Sequence, residues 1–84
     1  MFGPGDPVAL GALVTLVDED SGDESRYLLV PGGAGLRLEH AGQAIQTITT
    51  ASPLGEALVG KYVDEPFELR TPKGQRELSI VAIR

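Results

Sequence analysis

An α+β fold, one short helix set among antiparallel strands, is predicted by three observations. Residues 52–61, Ser-Pro-Leu-Gly-Glu-Ala-Leu-Val-Gly-Lys, carry the start and stop signals of a helix; strand-like sequence lies on both sides of them; and two pairs of β-rich segments are joined by turn residues. The elements follow in chain order.

Residues 1–7, with two Gly and two Pro, cannot hold regular structure and read as a flexible tail or linker remnant, so the domain is expected over 8–84. Residues 8–17, Val-Ala-Leu-Gly-Ala-Leu-Val-Thr-Leu-Val, are too β-branched and too continuous for an amphipathic helix. They read as a strand buried on much of both faces, with Gly11 a bulge or close-approach point. Asp18 to Ser25 form a polar turn hinged at Gly22, and Arg26 to Val30 a second strand, giving a hairpin with an acidic tip.

Pro31 to Gly35 punctuates the chain, and residues 36–44 are the least readable stretch, with Leu36 and Leu38 alternating with Arg37 and Glu39 as in a short extended piece. Ile45 to Thr50 has strand composition and runs straight into Ser52. Within the helix Ser52 caps the first free N–H groups, Pro53 presets φ at the first helical position, and Gly60 takes the left-handed geometry that ends it. Leu54, Ala57 and Leu58 share one face, with Glu56 opposite. So short a helix is marginal in water and depends on packing. Beyond it, Pro66 to Thr71 and Arg76 to Ile83 flank the Pro72-Lys73-Gly74-Gln75 turn. Phe67/Leu69 and Leu78/Ile80/Ala82 alternate with polar residues, a second hairpin with one face on the core.

Composition bounds the function. Eighty-four residues build one core, with a radius of gyration of about 12 Å. Apolar residues make up 42% of the chain but aromatics only 5%, too few for an aromatic-lined ligand pocket. A net charge of −5 argues against tight nucleic-acid binding. Without cysteine there is no disulfide, thiolate metal site or cysteine nucleophile, and His40 is the single histidine. No cofactor or metal is expected. No signal segment or membrane span is evident, and a cytoplasmic chain is expected.

Several motifs fail on inspection. Five carboxylates lie between Asp18 and Glu24, but the twelfth position of an EF-hand counted from Asp18 is Leu29, so a solvated hairpin tip is the expected reading, with a weak cation site or an electrostatic contact with a basic partner surface the alternatives. Gly32-Gly33-Ala34-Gly35 lacks the Lys-Ser/Thr ending and the following helix of a phosphate loop. His40 beside Glu39 lacks a nucleophile and an orienting group. Ser52 lacks the flanking glycines of a nucleophile elbow, with Thr50 and Leu54 in their places. It is a helix cap, and with Pro53 it makes a rigid strand–helix corner that loses little entropy on binding a partner.

Leu10-Gly11-Ala12-Leu13-Val14-Thr15-Leu16 leading into Asp18-Glu19-Asp20-Ser21-Gly22, then Tyr27-Leu28-Leu29-Val30, Ser52-Pro53-Leu54-Gly55-Glu56-Ala57-Leu58-Val59-Gly60-Lys61 and Thr71-Pro72-Lys73-Gly74 resemble the carboxy-terminal domain of the bacterial GreA/GreB transcript-cleavage factors and of relatives such as the Rnk-type regulators. The resemblance runs from Val8 to Arg84. It implies an FKBP-like α+β fold, a strongly curved antiparallel sheet wrapping one short helix. It also implies a non-enzymatic partner role: in the family this domain docks on RNA polymerase at the rim of the secondary channel, while an amino-terminal coiled coil reaches down the channel with acidic tip residues. These 84 residues contain no heptad run and are not expected to carry that chemistry.

The family's docking feature falls on Ala51, Ser52, Pro53, Leu54 and Gly55. Ala51 stands where the family usually has Asp or Asn, which removes a hydrogen-bonding side chain. Asp64-Glu65 stands where it usually has Gly-Asp. Two further readings remain beside polymerase docking. The FKBP-like fold suggests a peptidyl-prolyl isomerase, and an exposed sheet edge or the acidic hairpin suggests a regulator with another protein partner. The oligomeric state is left open.

Overall fold

A computed structural model describes residue 3 and residues 5–33, 35–72 and 74–84; the side chain of His40 is also outside the description. Of the sequence-based expectations, those concerning Met1, Phe2 and Pro4 of the tail, Ala34 of the glycine-rich loop, Lys73 of the second turn and the His40 side chain therefore lie outside the described residues.

Six strands and one helix follow in the order β1 (Leu13–Asp18), β2 (Glu24–Val30), β3 (Arg37–His40), β4 (Gln43–Thr49), α1 (Pro53–Leu58), β5 (Pro66–Thr71) and β6 (Gly74–Ile83). One sheet takes all six strands, ordered β3-β4-β2-β1-β6-β5. A flat sheet is about 10 Å thick with its side chains, whereas this molecule measures 30 × 27 × 27 Å with a radius of gyration of 11.9 Å. The sheet therefore curls, and α1 closes its inner side.

Alternation explains the core. In β1 the buried residues Val14 and Leu16 alternate with half-buried Leu13, Thr15 and Val17. Their inward side chains join Leu29, Ile48, Leu58, Phe67, Leu78, Ile80 and Ile83, with Val8 and Ala12 at one end. Leu16, Leu29, Leu58, Ile80, Val8 and Val14 are fully buried. The core is thus aliphatic, as composition predicts. Phe67 is its one buried aromatic among the described residues, with Tyr27 packed against it.

Several details differ from the sequence reading. The strand expected over 8–17 begins only at Leu13, because the chain turns at Leu10–Gly11. Val8 pairs instead with the segment after the helix, its N–H donating to the Lys61 carbonyl at 2.8 Å and its carbonyl accepting from Gly60 N–H at 2.9 Å. Gly11, expected to be a bulge or close-approach point, sits in the Leu10–Gly11 turn at φ 91°, and the irregularity of β1 lies where the β1–β6 register shifts between Thr15 and Leu16. The sheet is antiparallel except at one place: β2 and β4 run parallel from Tyr27↔Gln46 to Val30↔Thr49. Parallel neighbours need a crossover, and here it is built from residues 31–42, whose β3 arm lies outside β4.

That arm is the hairpin hidden in residues 36–44. His40 pairs with Gln43 across a two-residue turn, Ala41-Gly42, with φ of 53° and 78°. Positive φ at both centres is the hairpin-compatible type I′ arrangement, for which Asn-Gly is the usual sequence signal. Alanine at the first centre conceals it. The buried Thr47 anchors the crossover, its Oγ1 accepting from Leu36 N–H at 3.0 Å.

The acidic hairpin is not wholly a solvated tip. Asp18 is only 6% exposed. Its carboxylate accepts from Asp20 N–H at 2.9 Å, Ser21 N–H at 3.2 Å and the Arg76 guanidinium at 2.5 Å. The Arg76 hydrogen bond first, then the two backbone N–H groups, hold its carboxyl below the ordinary 3.8. The first hairpin turn is thereby tied to β6, and Glu19 accepts from the Ser79 hydroxyl beside it. Among the described residues no group of three or more His, Cys, Asp or Glu is placed to hold a metal ion. No helix among them is long and apolar enough to cross a membrane.

Candidate functional site

The strand–helix corner is built by one hydroxyl. Ser52 sits in extended geometry, φ −71° and ψ 155°, just before the helix. Its Oγ accepts from Gly55 N–H at 3.1 Å, satisfying one of the free donors of the first turn. The same Oγ donates to the Thr49 carbonyl at 2.7 Å, closing the end of β4 onto the start of α1. The main chain repeats the link: Ser52 N–H donates to Thr49 O at 3.2 Å, and Glu56 N–H to Ser52 O at 2.8 Å. A hydroxyl whose proton is held by a carbonyl, with no described base beside it, is structural rather than nucleophilic.

Gly55 shows why the corner is so tight. A Cβ built there would lie 2.0 Å from the Thr49 carbonyl oxygen and 3.0 Å from Ser52 Oγ. The helix rests directly on the last peptide of β4, so the position admits no side chain. Gly55 is accordingly buried, and its part is to let strand and helix meet rather than to touch a partner. Leu58 is fully buried, and Leu54 and Ala57 pack against the core, as their spacing predicts.

The helix is shorter than the sequence signals imply, ending at Leu58 rather than Lys61. Val59 caps it, donating its N–H to Gly55 O, and Gly60 follows at φ 86° in the left-handed region. The next turn has Asp64 at φ 70°, with Glu65 N–H donating to Tyr62 O at 3.1 Å. A positive φ at the third position of a turn ordinarily calls for Gly. This is the position where the resembled family usually has it.

Of the five predicted site residues, Ala51 and Pro53 are exposed, Ser52 and Leu54 half-buried and Gly55 buried. Glu56, expected opposite the core face, and Val59, which the sequence reading did not single out, extend the exposed side beyond these five. Pro53 and Glu56 of α1 and its C-cap Val59, three residues apart, form one exposed stripe, and Val59 is 44% exposed. The 53/56/59 spacing opposite Leu54 and Leu58 was the available signal. Glu56 near the start of the helix also suits the positive end of its dipole.

The aromatic-walled pocket of a proline isomerase has no counterpart among the described residues. Phe67 is in the core, Tyr27 packs against it, and Tyr62 is half exposed beyond the helix.

Comparison with known proteins agrees with this architecture. Residues 3–84 match the family described as "Transcription elongation factor, GreA/GreB, C-term". The transcription elongation factor GreA of Rhodospirillum rubrum is 38% identical over 80 residues, covering 95% of this chain and 47% of that protein. GreA of Azorhizobium caulinodans is 41% identical with the same coverage. Among solved structures, Thermus aquaticus Gfh1 superposes with a TM-score of 0.79 at 37% identity, over 98% of this chain and 50% of that one. A GreA/GreB factor from Nitrosomonas europaea gives 0.70 at 25% identity, over 98% and 63%. The chain spans about half the length of the curated relatives it matches. By both its sequence and its sheet-and-helix architecture, the chain belongs to the GreA/GreB carboxy-terminal domain family.

Proposed function

We propose that this domain is a non-enzymatic docking module of a bacterial transcription elongation factor or regulator, and that it binds RNA polymerase at the rim of the secondary channel. Family membership supports the transcriptional role. The observation that carries the docking surface is the corner itself: Ala51 and Pro53 exposed on a turn that Ser52 and Gly55 lock in place. A surface ordered before binding spends little conformational entropy on association. Leu54 offers its half-buried edge, and the Glu56–Val59 stripe continues the contact surface. Such a module acts in the cytoplasm, where the polymerase is.

A pull-down of bacterial RNA polymerase by the chain tests this reading. Retention by the wild type and its loss after Ser52 and Pro53 are both replaced is the expected result. No retention, or equal retention by the double variant, would refute it.

A further inference from the structure

The β2–β4 ladder leaves a notch. Its parallel pairing begins at Tyr27↔Gln46, so the first residues of both strands, Glu24–Arg26 and Gln43–Ile45, have no partner across the gap. A cleft of about 390 Å³ opens there. Consecutive residues Glu24, Ser25, Arg26 and Tyr27 all line it. Neighbouring side chains of a strand point to opposite faces, so this is a gap between strands that exposes main chain, not a hollow on one face.

Its chemistry is rich in donors. Arg26 and Arg37 stand on its walls with the amides of Gln43 and Gln46, and Glu24 is the one carboxylate among the residues lining it. Glu24 occupies only one Nη of Arg26, at 3.0 Å, leaving other guanidinium donors available. Among the described residues the Arg37 side chain has no hydrogen-bonding or ionic partner. An adjoining cleft of about 270 Å³ shares Glu24, Arg26 and Gln43 and adds Arg84, whose side chain also has no partner among the described residues. Glu39 lines neither cleft but shares an adjoining hollow with Arg37 and Ala44. Arg26 and Arg37 thus line the first cleft from opposite faces of the sheet, and Arg26 and Arg84 line the second, on a chain whose net charge is −5.

We propose that this notch is a second binding site, which takes an acidic peptide segment of a protein partner. A guanidinium matches a carboxylate through paired, charge-assisted hydrogen bonds. Glu24–Arg26 are laddered to β1 and Gln43–Ile45 to β3 on their outer sides, and the main-chain groups that face the gap between them can pair with an extended peptide segment. A nucleic-acid backbone has no amide to offer there, which favours peptide over RNA or DNA. The notch lies at the start of β4, about 20 Å along the strand from the Ser52 corner, so both surfaces can be engaged at once and neither inference depends on the other.

A blocked hexaglutamate peptide, titrated into the isotope-labelled chain and followed by amide chemical shifts, tests the proposal. Saturable shifts confined to residues 24–27, 37 and 43–46, with the α1 amides unmoved, are expected. Arg37→Gln should weaken binding about tenfold, Arg37→Glu should abolish it, and replacing Ser52 and Pro53 should leave it unchanged. Any of four results overturns the site: no saturable shift, shifts centred elsewhere, affinity unchanged in Arg37→Gln, or equal or tighter binding of inorganic phosphate or oligouridylate at the same amides.

Discussion

Replacing Gly55 by alanine should destabilise the domain, although the same change in an ordinary helix interior stabilises by about 1 kcal/mol. The new Cβ would sit 2.0 Å from the Thr49 carbonyl oxygen, with its second contact 3.0 Å away at Ser52 Oγ. Neither the end of β4 nor the start of α1 can yield cheaply, because Ser52 ties them together through Thr49 O and Gly55 N–H. Relief needs a separation of roughly an ångström, which breaks the cap. Overpacking of this kind costs about 1–3 kcal/mol, and loss of the cap about 1 more, so after the helix-propensity gain the net loss is about 1–3 kcal/mol. With a urea m-value of about 1 kcal/mol per M for a small domain, the unfolding midpoint should fall by about 1–3 M. A midpoint equal to or above that of the wild type would refute the close-approach argument.

Ser52→Ala should cost about 1 kcal/mol by removing the cap, while Ser52→Asp, which keeps a capping oxygen, should cost less; urea unfolding of the pair separates capping from bulk. Ala41→Gly should raise stability by about 0.5–1 kcal/mol in thermal melts, because alanine at φ 53° is strained and the gain outweighs the added freedom of the unfolded chain. Asp18 titrates lower in the folded chain than its ordinary 3.8, so it stabilises the fold above that pH and the contribution is lost as pH falls from there through the folded pKa. Acid unfolding midpoints should show Asp18→Asn and Arg76→Gln both flattening the pH dependence below about pH 4.

Legibility followed locality. The helix start was readable because Ser52 and Pro53 act on the first turn beside them. The second hairpin was readable from the alternation at Phe67/Leu69 and Leu78/Ile80. What was missed depends on distant partners or on atypical residues. Residues 8–12 have strand composition, yet Val8 pairs with Gly60 and Lys61, about fifty positions away. The β2–β4 ladder is parallel because residues 31–42 return on the outside of β4, a choice of tertiary path that periodicity does not record. The Ala41-Gly42 turn lacks the usual Asn. Asp18 resembles its exposed acidic neighbours in sequence, and only Arg76 on β6 distinguishes it. Gly55 looked like one residue of a recognition motif; its role emerges only from the position of Thr49 O.

Ala51 offers the most direct test of docking, since it is exposed and outside the bonds that hold the corner. Equilibrium binding to bacterial RNA polymerase should be measured for the wild type, Ala51→Arg and Ala51→Asp, with urea midpoints recorded alongside. Polymerase docking through this corner predicts that Ala51→Arg weakens binding at least tenfold and Ala51→Asp strengthens it, both with unchanged midpoints. Equal affinity across all three proteins would contradict it.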